Sequence, residues 1–165
     1  MKNNPKGELH IVLIEPEIPQ NTGNIGRLSL GIGAKLHLVK PLGFDVSEKA
    51  VRRAGLDYWR DVDLQIHEST DDFLHWAKDK QLFLMSTKAN TSLADAKVKF
   101  GDSSSDVVLV FGPETRGLSE EIRSLYPCFR IPMKTQIRSY NLSNSVAIAS
   151  YFMLQQISPD WMRSS

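Results

Sequence analysis

The chain has few of the features that mark secreted, membrane-bound or strongly nucleic-acid-attracting proteins. Its 165 residues include one cysteine, Cys128, which excludes a disulfide framework within the chain and suits a reducing cytoplasm. The net charge is +1, so no overall field attracts nucleic acid, and any RNA contact must come from local clusters. The apolar run near the N-terminus is short and is followed by acidic residues, unlike a signal peptide or a membrane span. We therefore expect a cytoplasmic protein that contacts no membrane.

The short motifs of several enzyme classes are missing as well. The chain contains no G-x-S-x-G of a serine hydrolase, no Walker loop for a nucleoside triphosphate and no G-x-G-x-x-G for a dinucleotide. No carboxylates stand at metal-ligand spacing, Cys128 is alone, and the four histidines are scattered along the sequence: His10, His37, His67 and His75. The sequence therefore predicts no metal site.

What the chain does have is an alternation of short apolar runs with amphipathic segments. The apolar runs predict strands over 9–14, 35–40, 64–67, 81–86, 106–111 and 128–131. The amphipathic segments predict helices over 22–33, 47–53, 69–78, 119–125 and 141–156, and the polar stretch 87–105 is expected to be the loosest part. Such alternation implies an α/β fold with a doubly wound, Rossmann-like parallel sheet. The length fits one domain over residues 1–165, with its core over about 9–156.

Three loops that follow predicted strands have an unusual composition: PQNTGNIGR, FGPETRG and IPMKTQIRSYNLS. In parallel sheets, ligands bind at the carboxyl ends of the strands. The third loop enters a helix through more polar residues than one cap needs, which favours a ligand loop over a surface helix: Asn141, Ser143, Asn144 and Ser145. Exposed backbone groups suit an adenosine and arginines suit a phosphate, and the predicted pocket is edged by Arg27, Glu114, Arg116, Arg138 and Asn141.

The motifs PQNTGNIGR, FGPETRGL and IPM…RSYNLSNSVA, in this order, resemble the three motifs of the SpoU branch of the SPOUT RNA methyltransferases. The stretches EPEIPQNTGNIGR, PLGFD and RRAGLDYW are similar to those of the bacterial enzymes that methylate the ribose 2′-hydroxyl of nucleotide 34, a cytidine or uridine, in tRNA. The likeness runs from about Leu9 to Gln156. Tyr140 departs from it, because this subfamily usually carries Leu or Met there, and the pocket wall is the part that this change puts in doubt.

The resemblance implies a homodimer, a deep trefoil knot in the C-terminal third and S-adenosyl-L-methionine as the methyl donor. By position, the cofactor would be held largely through backbone atoms of Met85, Gly112, Ile131 and Ser139. The catalytic residues implied by the motifs are Arg27, Glu114, Ser139 and Asn141. An arginine normally cannot give up its proton, since its pKa is roughly 12.5–13.8. We therefore expect Arg27 to bind a phosphate and stabilise the developing alkoxide, with the other three orienting Arg27, the ribose or the cofactor.

Two other functions stay open on the sequence alone. The first is an RNA-binding module that keeps the fold without catalysis, which the intact catalytic set argues against. The second is a methyltransferase of the same branch that acts on another tRNA position or on ribosomal RNA. Because the first predicted strand starts at Leu9, with no appended domain, the exposed anticodon stem-loop of tRNA is the better match. The RNA contacts expected at this stage are cations and stacking aromatics: Arg52, Arg53, Arg60, Lys88, Lys97, Lys99, Tyr58, Trp59 and Tyr140.

The last predicted helix also favours the dimer. It is apolar nearly all round, more than one sheet face can cover, through Val146, Ile148, Tyr151, Phe152, Met153 and Leu154. The loop before it carries Ser139 and Asn141, so a two-fold interface on this helix would lie near the reaction centre. We therefore expect Arg27 of one subunit to complete the site of the other.

Overall fold

The core is a seven-stranded sheet, seen in a computed structural model that describes residues 7–47, 50, 56–100, 106–134 and 136–164. The strands are β1 (Leu9–Ile14), β2 (Lys35–Val39), β3 (Leu64–His67), β4 (Gln81–Met85), β5 (Thr91–Ser92), β6 (Val107–Phe111) and β7 (Cys128–Arg130). Their order is β3-β2-β1-β6-β4-β7-β5, and every neighbouring pair is parallel. The predicted α/β fold with a parallel sheet is confirmed.

The two central strands show why the sheet forms. β1 reads LHIVLI and β6 reads VVLVF, and every residue of both strands is buried. A strand that is covered on both faces needs such a continuous apolar run rather than an alternating pattern. The two pair from Leu9↔Val107 to Leu13↔Phe111. Their carboxyl ends therefore reach the same edge of the sheet, and two of the motif loops leave from that edge.

Helices cover both faces of the sheet. They are α1 (Pro19–Ile32), α2 (Thr70–Trp76), α3 (Glu120–Leu125), α4 (Leu142–Ile157) and α5 (Pro159–Arg163), with 3₁₀ turns at Trp59–Asp61 and Leu93–Asp95. One apolar core joins α1 and α4 to the sheet, and a second core joins α2 to the opposite face. Within the described part of the chain, no helix has the length and hydropathy needed to cross a bilayer.

The first helix starts earlier than predicted. The sequence pattern predicts a start at about Thr22 after a tight turn, but α1 begins at Pro19, directly after Ile18 as the N-cap. The prediction was wrong because proline is well tolerated in the first turn, where its missing N–H has no helical partner to lose. The predicted tight turn at 21–24 is therefore helical. The helix ends where Gly33 adopts a left-handed conformation with φ of 70°.

Two other segments bear on the predicted elements. Residues 87–100, the described part of the stretch expected to be loosest, are more ordered than expected, because β5 and a 3₁₀ turn lie in them and Leu93, Ala96 and Val98 are buried. The rest of that stretch, 101–105, lies outside the described residues. The predicted helix at 47–53 lies mostly outside the described residues. Within its described part, Ser47 Oγ accepts a hydrogen bond from the Ala50 N–H at 3.3 Å, the contact expected of its predicted cap.

Three histidines that are distant in the sequence form a buried row across β1, β2 and β3, so they are not scattered in the fold. His10 Nδ1 lies 2.9 Å from His37 Nε2, and His37 Nδ1 lies 3.0 Å from His67 Nε2. The strand registers place each histidine two residues beyond its neighbour's partner, so all three face the same side. Trp76 of α2 packs against all three rings. Burial lowers the pKa of each imidazole, that of His37 to about 3.

Candidate active site

A cavity of about 700 Å³ opens where β4, β6 and β7 end. Its walls include every predicted cofactor-binding residue and three of the four predicted catalytic residues: Met85, Gly112, Glu114, Ile131, Ser139 and Asn141. The carboxyl ends of neighbouring parallel strands meet at one edge, which brings these distant residues together. The fourth predicted catalytic residue, Arg27, does not line this cavity.

Glu114 holds the start of α1. Its carboxylate accepts hydrogen bonds from the N–H of Glu17 at 2.8 Å and of Ile18 at 3.1 Å. The Asn21 side-chain amide lies 3.4 Å from the same carboxylate. A carboxylate at a helix N-terminus satisfies free N–H groups and is favoured by the helix dipole. The following helix α3 is capped by its own Ser119, so Glu114 acts on the first motif rather than on the next helix.

Asn141 begins α4 and reaches back to the first motif. Its Oδ1 accepts hydrogen bonds from the Ser143 N–H at 2.9 Å and the Ser143 hydroxyl at 2.6 Å. Its Nδ2 donates to Asn21 Oδ1 at 3.0 Å. Asn21 is therefore the side chain through which Glu114 and Asn141 are connected. Asn21 is not among the predicted site residues, although its position in the first motif is a signal that points to it.

A second set of contacts ties the first two motif loops together. The Thr115 hydroxyl and N–H donate to Glu17, at 2.8 Å and 3.2 Å. The Arg116 guanidinium pairs with Glu15 and so is already engaged by a carboxylate at the rim of the cavity. These contacts fix the mouth of the cavity.

Gly112 stands where two parts of the second motif loop touch. A Cβ at this position would lie 2.3 Å from the carbonyl carbon of Gly117 and 2.3 Å from the nitrogen of Leu118. Gly117 itself has φ of 67°, and its N–H donates to the Pro113 carbonyl at 2.8 Å. The loop therefore folds tightly on itself, and only glycine fits at position 112 without a backbone shift.

Arg27 is exposed on α1, and the side chains of Tyr58 and Trp59 contact the helix turn that carries it. The ring of Trp59 packs against Gly26 so closely that a Cβ there would come within 2.5 Å of it. The Tyr58 hydroxyl donates to the Gly23 carbonyl at 2.9 Å. Burial raises the pKa of Tyr58, and the nearby Arg27 guanidinium opposes that rise. Among the described residues, no carboxylate forms an ion pair with Arg27, so its guanidinium can bind an external anion.

The aromatic residues expected to stack on RNA have different surroundings. Trp59 is buried in the core, so the expectation that it stacks on a base is wrong: its ring is used to pack α1. Tyr58 is half-buried with its hydroxyl bonded to the backbone, and Tyr140 is half-buried in the cavity wall. The cations at the cavity are Lys88, Arg116 and Arg138.

The fold and the cavity define a class of protein, the parallel α/β proteins with a ligand cavity at the carboxyl ends of the strands. The sequence pattern of the SpoU rRNA Methylase family matches residues 8–151 of the chain. The match covers most of the chain, and the protein therefore belongs to the SpoU methylase family.

Two proteins that are similar to this chain carry the same enzyme name. A tRNA (cytidine(34)-2′-O)-methyltransferase from Methylovorus glucosotrophus is 45% identical over 144 residues, covering 86% of this chain and 90% of the relative. The enzyme of the same name from Yersinia pestis is 43% identical over 157 residues, covering 90% and 94%.

Solved structures agree with this fold. A structure described as giving insights into 2-OH methylation of C/U34 on tRNA is 42% identical, with a TM-score of 0.82, over 93% of this chain and 99% of that one. The SpoU methyltransferase AviRb from Streptomyces viridochromogenes, in complex with AdoMet, is 21% identical. Its TM-score is 0.76, over 93% of this chain and 58% of that one, and this likeness concerns the fold alone.

Proposed function

We propose that the protein transfers a methyl group from S-adenosyl-L-methionine to the ribose 2′-hydroxyl of nucleotide 34, a cytidine or modified uridine, in tRNA. The observation that carries this proposal is the single cavity wall that joins Met85, Gly112, Ile131 and Ser139 with Glu114 and Asn141. The names of relatives that are more than 40% identical over most of their length support the choice of substrate.

The cavity suits this cofactor. Its volume of about 700 Å³ lies within the range of small-molecule sites. Buried apolar side chains of Met85 and Phe111 face it from strand ends, and the loop after β7 contributes Ile131. Backbone groups of these loops can recognise an adenosine without charged partners. When bound, S-adenosyl-L-methionine supplies an electrophilic methyl group.

The residues around the cavity divide into those that touch substrates and those that position them. Arg27 binds the phosphate beside the target ribose and stabilises the negative charge that develops on the 2′-oxygen as its proton leaves. Ser139 is exposed at the cavity and is placed to contact the cofactor or the ribose. Glu114 and Asn141 act as positioning residues, because their side chains are engaged with α1 and with the start of α4.

The tRNA contacts come from a few exposed cations rather than from the net charge of the whole chain, which is only +1. Arg60, Lys88, Lys97 and Lys99 are exposed and can follow the backbone of an anticodon stem-loop, while Arg52 and Arg53 lie outside the described residues. Contacts of this kind make affinity fall as the salt concentration rises. Tyr140 remains the aromatic residue at the cavity that can stack on a base.

We infer a homodimer from the part of α4 that its own subunit leaves uncovered. Val146, Met153 and Leu154 are buried within the subunit, which removes them from the predicted interface. Ile148 and Tyr151 are 44% and 45% exposed, and the Tyr151 ring lies near that of the exposed Trp161 of α5. This apolar surface is what a two-fold interface would cover.

The position of Arg27 outside the cavity supports a site shared between subunits. If Arg27 serves the partner's cavity, Arg27→Ala and Ser139→Trp, each inactive alone, complement each other when co-expressed. Random pairing gives half heterodimers with one intact site each, or roughly a quarter of wild-type activity. Gly112→Val is unsuitable as the cavity block, because its side chain would collide with backbone atoms. Purified heterodimers without activity would show that each subunit builds its own site.

We also infer that residues 1–165 form one cytoplasmic domain with a knotted C-terminal third. Support for the knot comes from the order of the sheet: the chain passes from β6 over β4 to β7, and α4, which begins at Leu142, packs back on β1 and β6. The family to which the chain belongs supports the same inference.

Two measurements test the function. S-Adenosyl-L-methionine should bind the purified protein and raise its melting temperature by mass action, whereas ATP and nicotinamide dinucleotides should not. Ribose methylation at nucleotide 34 should disappear from the tRNA of cells that lack the protein and return with the wild-type gene. Loss of methylation at another tRNA or ribosomal RNA position would favour the other SpoU-type activity. Absence of cofactor binding, with and without tRNA, would contradict an enzyme of this type.

A further inference from the structure

The amino-terminal end of the sheet brings together three side chains that the proposed methyl transfer does not use. His10 Nε2 lies 3.7 Å from Asp106 Oδ2 and 3.9 Å from Glu8 Oε2. The Glu8 N–H donates to Asp106 Oδ1 at 3.0 Å, which fixes the two acidic residues relative to each other. The group lies roughly 15 Å or more from the cavity, since the length of the central strands separates them.

His10 has an unpartnered atom that faces this group. Its ring is 3% exposed, and Nε2 is buried without a hydrogen-bond partner in the described structure. A buried polar atom in this condition costs free energy, and native structures usually provide it with a partner. The two nearest charged groups are carboxylates, which cannot donate a hydrogen bond when ionised. A cation held between the three groups would give Nε2 a partner.

The histidine row determines how such a cation would be accommodated. Each of its two nitrogen–nitrogen contacts needs one N–H and one lone pair. If the three neutral rings point every N–H towards Asp72, which lies 3.7 Å from His67 Nδ1, the row ends in a lone pair at His10 Nε2. That lone pair faces Glu8 and Asp106. A histidine that donates one ring N–H to an outer acceptor and presents the other nitrogen is the usual arrangement of a metal ligand.

We propose that Glu8, His10 and Asp106 form a binding site for one divalent cation of the Zn²⁺ type. Their ligand atoms lie within 4.8 Å of one another. Because Zn²⁺ binds nitrogen and oxygen ligands at about 2.0–2.2 Å, two ligands of one ion can be up to about 4.4 Å apart, so small side-chain shifts complete the site. His37, through its contact with His10 Nδ1, is the outer-shell partner. This site is independent of the proposed methyl transfer.

Two lysines compete with the cation. Lys35 Nζ lies 3.0 Å from Glu8 Oε2, and Lys80 Nζ lies 3.9 Å from Asp106 Oδ2. Lys35 is 41% exposed in its side chain, so it can turn into solvent when a cation arrives. The competition makes a directional prediction: Lys35→Met should tighten cation binding, because it removes a positive charge and frees the Glu8 carboxylate.

The test is a titration of the chelator-treated, full-length protein with ZnCl₂, followed by calorimetry. We expect one Zn²⁺ per chain. Loss of an outer-shell partner costs about 10–100-fold in metal affinity, and loss of a ligand costs at least as much, so Glu8→Gln and Asp106→Asn should each weaken binding by about tenfold or more. His75→Asn is the matched control, since His75 is an exposed histidine outside the row and should leave binding unchanged.

A second measurement identifies which histidine nitrogen binds the cation. Long-range nitrogen–proton spectra distinguish ring nitrogens, and ZnCl₂ should shift His10 Nε2 while His75 is unaffected. Glu8 is exposed, so Glu8→Gln should fold normally and keeps the test valid if Asp106→Asn is unstable. The proposal is overturned if no stoichiometric binding occurs, if His75→Asn removes it, or if both carboxylate variants bind like wild type.

Discussion

The two ends of the sheet are both polar, but they are polar in different ways. At the carboxyl end, loops rich in Gly, Pro and Ser surround an open cavity, and the acidic side chains there hold backbone N–H groups of neighbouring loops. At the amino end, charged side chains face one another and a buried histidine row. The first arrangement is suited to a small molecule that is recognised largely through the main chain, whereas the second is suited to protons or cations.

The two ends of the sheet also differ in what determines the positions of their side chains. The cavity is defined by contacts between loops, so its shape depends on Glu114, Asn21 and Asn141 holding three segments together. The amino end is defined by strand register, which the apolar core already sets. Single substitutions should therefore disturb function strongly at the carboxyl end, and stability or ion binding at the amino end.

The largest effect is expected from Arg27→Ala. Removing a donor that acts only in the transition state costs on the order of 10²–10³ in rate, while S-adenosyl-L-methionine should bind as before because Arg27 does not line the cavity. Arg27→Lys should recover little, since a point charge does not reproduce the planar guanidinium. Single-turnover methylation of tRNA measures the rate, with Lys78→Ala, at an exposed cation that is given no role in RNA binding, as the control. A near wild-type rate in Arg27→Ala would show that Arg27 has no part in the reaction.

Glu114→Ala should lower stability as well as activity. It removes the acceptor of the Glu17 and Ile18 N–H groups at the start of α1, and losing such an acceptor at a helix N-terminus costs about 0.5–2 kcal/mol. Urea unfolding should therefore show a loss of about 1 kcal/mol or more in the free energy of unfolding. The control is Glu120→Ala in the first turn of α3, where the helix-dipole effect is worth less than about 1 kcal/mol. Unchanged stability with lost turnover would instead make Glu114 a catalytic residue.

A pair of glycine variants tests the tight second loop. Gly112→Ala places a methyl group against backbone atoms of 117 and 118, which should cost about 1–3 kcal/mol in the free energy of unfolding and weaken cofactor binding. Gly31→Ala, in α1 with nothing within 4 Å of the added Cβ, should stabilise by about 0.4–1 kcal/mol. Thermal unfolding with and without S-adenosyl-L-methionine measures both effects. Equal behaviour of the two variants would contradict the role given to Gly112.

The smallest effect concerns the buried histidine row in acid. Burial lowers the pKa of His67, so the unfolded chain takes up a proton that the folded protein does not. Stability from this group is complete above an unfolded pKa of about 6.5 and is lost as the pH falls towards the folded value. The slope is at most about 1.4 kcal/mol per pH unit for one proton. In chelator-treated protein, His67→Gln should reduce this slope, whereas His75→Gln should not.

Much of the carboxyl end was predictable because it follows from the direction of the strands. Parallel strands place their following loops at one edge, so unusual residues after three strands predict one site, and Asn21, Gly112 and Asn141 of these loops all line the cavity. Met85, at the end of β4, was expected there only from the family resemblance. The histidine row, which starts at the amino end with His10 and finishes with His67 at the last position of β3, was not predictable in this way. His10, His37 and His67 are brought together by the order of β1, β2 and β3, which local sequence patterns do not contain. The start of α1 was misjudged for a local reason, the ambiguity of proline between a turn and a first helical residue.

The bridge made by Asn21 has a consequence for how the protein assembles in time. This side chain contacts residues 93 and 120 positions further along the chain, Glu114 and Asn141. Contacts of such long sequence separation require large loops to close first, and proteins dominated by them fold slowly. A chain still emerging from the ribosome cannot hold its first motif against the third until residue 141 has left the exit tunnel. The enzyme therefore acquires its cavity late in synthesis.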